Sequence, residues 1–132
     1  MKIIITEWAL DSYLRLKHRR AFTEDEYQKV IRPDVLNLAN YPNDPKFGLQ
    51  QFWSIAESPS GVKIQGGFKM KWDHLGSGRV ELRLPVGILR DAFLCEAYVK
   101  ENPKLEQRKL ARFKLHLELI RQNRHLERGI LS

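Results

Sequence analysis

Between Val62 and Lys100 apolar residues recur at every second position in three successive segments, with mostly charged or polar residues between them. Val62, Ile64, Phe68, Met70 and Trp72 oppose Lys63, Gln65, Lys69 and Lys71; Val80, Leu82 and Leu84 oppose Arg79, Glu81 and Arg83. In the third segment Phe93, Cys95, Ala97 and Val99 oppose Leu94, Glu96, Tyr98 and Lys100. Side chains on a strand alternate between its two faces, so these segments predict strands of one sheet with a buried side. A fourth strand is expected over Gln50 to Glu57, turned into its neighbour by Ser58-Pro59-Ser60-Gly61. The open face would then carry six cations (Lys63, Lys69, Lys71, Arg79, Arg83, Lys100) against two anions (Glu81, Glu96).

Helical signals flank this meander. Lys2 to Thr6 is β-branched and reads as a short strand, after which Thr6 caps a helix over Trp8 to Arg19. Thr23-Glu24-Asp25-Glu26 is a capping box opening a second helix, which Pro33 should kink and which should end near Asn40. Asn102-Pro103 starts a last helix running to about Arg124, with Leu110, Phe113, Leu117 and Ile120 as its core stripe. The expected fold is therefore one α+β domain over residues 1–132. An N-terminal strand and a helical hairpin precede an antiparallel sheet of about four to five strands, packed on helices, and a long helix closes the chain.

A chain of 132 residues can bury a core without staples, and 42% hydrophobic with 30% charged residues fits a globular protein. The single Cys95 falls among apolar positions, as a small buried hydrophobe would, and lone-cysteine usage fits a reducing cytoplasm. No apolar run reaches the length of a membrane span, and the first residues do not make a signal peptide, so no membrane partner is expected. The net charge of +7 arises entirely after residue 59: eight cations and eight anions precede that point, fifteen cations and eight anions follow it. This asymmetry favours nucleic acid or an acidic protein as partner.

Three short motifs carry a resemblance. The opening Ile3-Ile4-Ile5-Thr6-Glu7-Trp8-Ala9-Leu10, the run Phe68-Lys69-Met70-Lys71 followed by Gly78-Arg79, and the stretch Phe93 to Lys100 are similar to segments of the RelE/ParE/HigB toxin superfamily. The resemblance implies a RelE-like fold and the toxin of a bacterial toxin–antitoxin pair. It further implies an endoribonuclease that cleaves messenger RNA on the ribosome, without metal or other cofactor, and is held in check by a cognate antitoxin. RelE itself has a tyrosine in its last helix, whereas no tyrosine follows Tyr98 here.

The chemistry implied is attack of a ribose 2′-hydroxyl on its own 3′-phosphate. It requires a base, cationic donors to the phosphorane, and an acid for the leaving oxygen. Lys69 and Lys71 share a face, and mutual repulsion with desolvation would lower a lysine's affinity for its proton. Lys71, then Lys69, is the expected base; Arg79 and Lys100 would hold the phosphate, and Tyr98 would stack on a base or donate a proton. Lys63, Arg83 and His74 are supporting RNA-binding candidates. His18, His74, His116 and His125 show no metal-ligand spacing. Two alternatives stand beside it: a ParE-like gyrase-inhibiting toxin, against which Lys69, Lys71, Arg79 and Lys100 argue because such members generally lack a basic cluster, and a non-enzymatic nucleic-acid-binding module whose last helix adds phosphate contacts.

Overall fold

The computed structural model describes Met1–Ser132. β1 (Ile3–Thr6) ends where Thr6 turns its hydroxyl to two tasks, accepting from the Ala9 N–H and donating to the Leu94 carbonyl at 2.6 Å. The first of these caps α1 (Glu7–His18). The capping box forms as expected, with Thr23 and Glu26 satisfying each other's backbone donors at 3.0 and 2.8 Å, and opens α2 (Glu24–Glu26). A wide π turn over Tyr27–Ile31 then leads into α3 (Arg32–Leu36). The widening falls just before Pro33, which has no N–H to donate back along the helix, so the expected interruption takes this form.

The meander follows as β2 (Trp53–Glu57), β3 (Lys63–His74) and β4 (Val80–Ile88), then β5 (Ala92–Leu94) and β6 (Tyr98–Val99). Asn102 caps α4 (Pro103–Arg121) by accepting from the Leu105 N–H, and β7 (Glu127–Ile130) ends the fold. The sheet has seven strands in the order β2-β3-β4-β5-β1-β7, and β6 also pairs with β4. It is mixed rather than purely antiparallel, because β1 runs parallel to β5. The α+β class holds; the strand count and the all-antiparallel expectation do not. β7 has no apolar alternation and is exposed throughout. It is held by backbone pairing to the edge of β1, which its own sequence does not announce.

Helices cover both sides of the sheet, where one open side was expected. Leu16, Phe22, Val35, Leu38, Trp53, Met70, Trp72, Leu82 and Leu84 form a core with α1–α3. Ile4, Ile64, Phe93 and Cys95 form a second core with Leu110, Phe113, Leu117 and Ile120 of α4. Two breaks in alternation create this second core. Gly66 takes φ +75°, beside a register shift between β2 and β3, so Ile64 turns toward α4 while Met70 and Trp72 face α1–α3. The expected strand over 93–100 likewise breaks between Leu94 and Tyr98, sending Phe93 and Cys95 toward α4 and Leu94, Ala97 and Val99 the other way. Gly67 and Gly87 face each other across β3 and β4, and a Cβ on either would collide with Phe113 or Leu117. Their bare backbone seats α4.

At the second break Glu96 is buried rather than exposed on a basic face. It binds Lys109 at 2.7 Å, Arg112 at 3.0 Å and Arg15 at 3.4 Å, joining α4 to α1. Burial would raise its pKa, but the bonds from Lys109 and Arg112 outweigh this and hold it below the usual carboxylate range. Glu96→Gln should destabilise the fold by about 2 kcal/mol, less than for a fully buried pair because Arg15 and Arg112 can rehydrate. Urea denaturation at pH 7 measures this; an unchanged midpoint would show the cluster to be idle.

His116 gives the stability a pH dependence. Its ring stacks on Trp8 at 3.8 Å, Nδ1 has no partner, and burial pulls its pKa down to about 4. The unfolded chain binds a proton near pH 6.5 that the native chain refuses until about 4, so stability falls as pH drops through that window. Between pH 6.5 and 5 the loss should be roughly 1.5 kcal/mol. His116→Phe should flatten the denaturation midpoint over this range, and an equally steep variant would contradict the assignment.

Candidate functional site

The cationic half of β3 lies beyond the region that α4 closes. Lys69 and Lys71 project from alternate positions, Lys71 stands opposite Arg83 on β4, and Arg83 stands opposite Tyr98 on β6. Local sequence accounts for this row: the strict alternation from Phe68 to Trp72 sends each apolar neighbour into the first core and each lysine to the far side.

These charges are far from free. Lys69 is largely buried, with its ammonium 3.8 Å from Glu106 in the first turns of α4. Lys71 donates to the Gln50 carbonyl at 2.9 Å. The Arg83 guanidinium, with 7% of its side chain exposed, is held by Asp73 at 2.9 Å and by the Leu82 carbonyl. Burial lowers the pKa of Lys69, and the Arg83 and Lys100 cations lower it further, while Glu106 works against both. Lys71 is lowered first by burial, then by Lys69 and Arg83. Repulsion and desolvation thus act together on this pair.

Lys100 is exposed and extends the β6–β4 pairing through its N–H to the Glu81 carbonyl, close enough for its charge to act on Lys69. Tyr98 departs from its expected role. It is 2% exposed, so no base can stack on it, and its hydroxyl donates to Glu106 at 2.7 Å. Burial and that bond raise its pKa, which makes it a poor proton donor. Arg79 lies past the tight turn Leu75–Gly78, exposed and without an ion pair or side-chain hydrogen bond to the cluster. Arg83 occupies the central place that Arg79 was expected to take. His74, left-handed at φ +67°, is exposed at that same turn, and Lys63 pairs in register with Glu57 at the far end of β3. The structure brings together Lys69, Lys71, Arg83, Tyr98 and Lys100, and leaves Arg79, His74 and Lys63 outside.

An open cleft of about 460 Å³ runs along the two lysines. Its walls include Gln50, Ser54 and Glu57 on one side and Pro103, Glu106 and Gln107 on the other. Glu106 and Glu57 are the functional candidates that sequence reading missed. Glu106 had a signal: it precedes Leu110, Phe113 and Leu117 on the same helical stripe, a charge where that face is otherwise apolar. Glu57 had none beyond its place at the end of β2.

The cleft can therefore receive an anion on ammonium groups and can accept or deliver protons through lysines of lowered pKa beside carboxylates. No group of three or more His, Cys, Asp or Glu side chains is arranged to hold a metal ion, and no helix is long and apolar enough to cross a membrane. No family model, no curated protein and no solved structure matches the chain.

Proposed function

We propose that the protein is an endoribonuclease of the RelE-like kind, acting as the toxin of a toxin–antitoxin pair. The observation that carries this reading is the pair Lys69 and Lys71, both of lowered pKa, on the wall of an open cleft beside Arg83. In this reading neutral Lys71 takes the proton of a ribose 2′-hydroxyl. The 2′-oxygen bonds to the adjacent phosphorus, the bond from phosphorus to the 5′-oxygen breaks, and the Lys69 ammonium protonates that leaving oxygen. The products are a 2′,3′-cyclic phosphate and a 5′-hydroxyl. Lys100 neutralises the phosphorane, and Arg83, fixed by Asp73, lowers the proton affinity of both lysines by its charge. Messenger RNA on the ribosome is the proposed substrate, and an acidic segment of the antitoxin laid in the cleft is the proposed inhibitor.

A second reading is a module that binds phosphate without cutting it, favoured by the enclosed Tyr98 and by Glu106 standing over Lys69. Expression in a bacterial host with end-mapping of cellular RNA separates the readings. Growth arrest with new 5′-hydroxyl ends on translated messages supports cleavage. Salt-sensitive RNA binding with intact messages supports binding alone, and broken DNA with intact RNA would instead indicate a gyrase poison.

A further inference from the structure

The core beneath α1–α3 is not completely filled. A cavity of about 210 Å³ lies between these helices and the sheet, lined almost wholly by apolar side chains, among them Ala9, Val35 and Leu84. Tyr13, Phe22 and Tyr27 also line it, with ring centroids 5.1 to 6.0 Å apart. Arg32 is the one charged residue of the lining. Its Nη2 donates to the Ser132 carbonyl oxygen at 2.6 Å, and the neighbouring Leu131 contributes to the cavity wall. The chain thus already presents an oxygen acceptor to the guanidinium, with an aliphatic group beside it.

We propose that this cavity is a binding site for a small monocarboxylate with a medium-length apolar tail. The carboxylate replaces the Ser132 carbonyl on Arg32, and the tail lies among the aromatic rings. Two observations set the class. An apolar cavity of roughly 150 Å³ takes up benzene, so this one has room for about eight non-hydrogen atoms, enough for the tail of octanoate with its carboxylate outside at Arg32. A guanidinium matches a carboxylate through two parallel bonds, and the lining holds no acidic group that would favour a cation. The site is separate from the lysine cleft, with which it shares no lining residue.

Octanoate is the probe, titrated into the full chain by amide NMR and calorimetry, with octanol as the uncharged control. Octanoate should bind saturably with a Kd of about 0.1–1 mM, and shifts should concentrate in α1–α3 and Leu131–Ser132. Octanol should bind about tenfold more weakly, the difference expected of a charged hydrogen-bonded head. Arg32→Gln should weaken octanoate by the same factor and leave octanol unchanged. Leu131→Ala, which loosens the resident group, should tighten octanoate severalfold. Ala9→Leu, which fills the cavity, should abolish both; if it does not fold, Val35→Phe serves. Absence of saturable octanoate binding to the folded wild-type chain overturns the proposal. So does equal affinity for octanoate and octanol with no effect of Arg32→Gln, which would mean an apolar void without a carboxylate site.

Discussion

Lys71→Met is expected to lower the rate of RNA cleavage about 10²–10⁴-fold at neutral pH, the range for loss of a general base. The side chain is nearly isosteric and its backbone is held by the Phe52 carbonyl and by β4, so the change should remove the proton acceptor and its bond to Gln50 while leaving the strand in place. Lys71→Arg provides the sharper comparison. It restores the charge, but a guanidinium does not deprotonate near neutrality, so binding should survive while cleavage does not. The pH profile gives an independent reading. Burial, Lys69 and Arg83 all lower the Lys71 pKa, so cleavage should rise with pH until that group is neutral, then fall once Lys69 loses the proton it must donate. Lys69→Met removes one of the repelling cations together with the proposed proton donor, so its effect is read on the activity that remains. The Lys71 pKa should then rise, and the ascending limb should move to higher pH. Full activity in Lys71→Arg would leave the cluster with phosphate binding alone.

Gly87→Val should damage the fold severely, at about 3 kcal/mol by urea denaturation, the upper end of the range for overpacking a filled core. A Cβ at this position overlaps the Leu117 side chain, and the register places Gly67 directly opposite, where a Cβ would come within 2.9 Å of Phe113. With no space on either strand, α4 must lift. A compensating change tests the mechanism. Leu117→Ala alone should cost about 2–5 kcal/mol through its cavity, yet combined with Gly87→Val it should cost clearly less than the two losses added. Strict additivity would mean that the valine acts through the strand and not through the helix. Because Glu106 rides on α4, Gly87→Val should also change the affinity of the cleft for phosphate.

Local signals in the chain were reliable guides to local structure. Thr6, the Thr23–Glu26 box and Asn102-Pro103 each start a helix where expected, and the alternation around Lys69 and Lys71 puts both lysines on one face. Strand alternation stopped being a guide at Gly66 and near Glu96, where each face changes sides. Gly66 leaves a gap in the apolar rhythm, but the gap does not say which way Ile64 turns, and nothing interrupts the rhythm near Glu96, so the two-sided core was not legible from it. The site was partly legible for the same reason. Lys69, Lys71 and Arg83 follow from pairing β3 with β4, but the enclosure of Tyr98 and the arrival of Glu106 depend on where α4 docks. That docking is set by two glycines, whose role is to leave space. Arg79 was misplaced because four residues of the preceding turn, His74, Gly76, Ser77 and Gly78, take positive φ angles that end the strand's regular progression.

The position of β1 has a consequence for biosynthesis. β1 finds its partners only in β5 and β7, on the far side of the chain's middle, so it leaves the ribosomal tunnel well before its neighbours exist. Contacts so distant along a polypeptide fold slowly, and until translation ends the nascent strand is a sticky, unpaired segment. Refolding from denaturant should therefore lag well behind that of a helical domain of equal length.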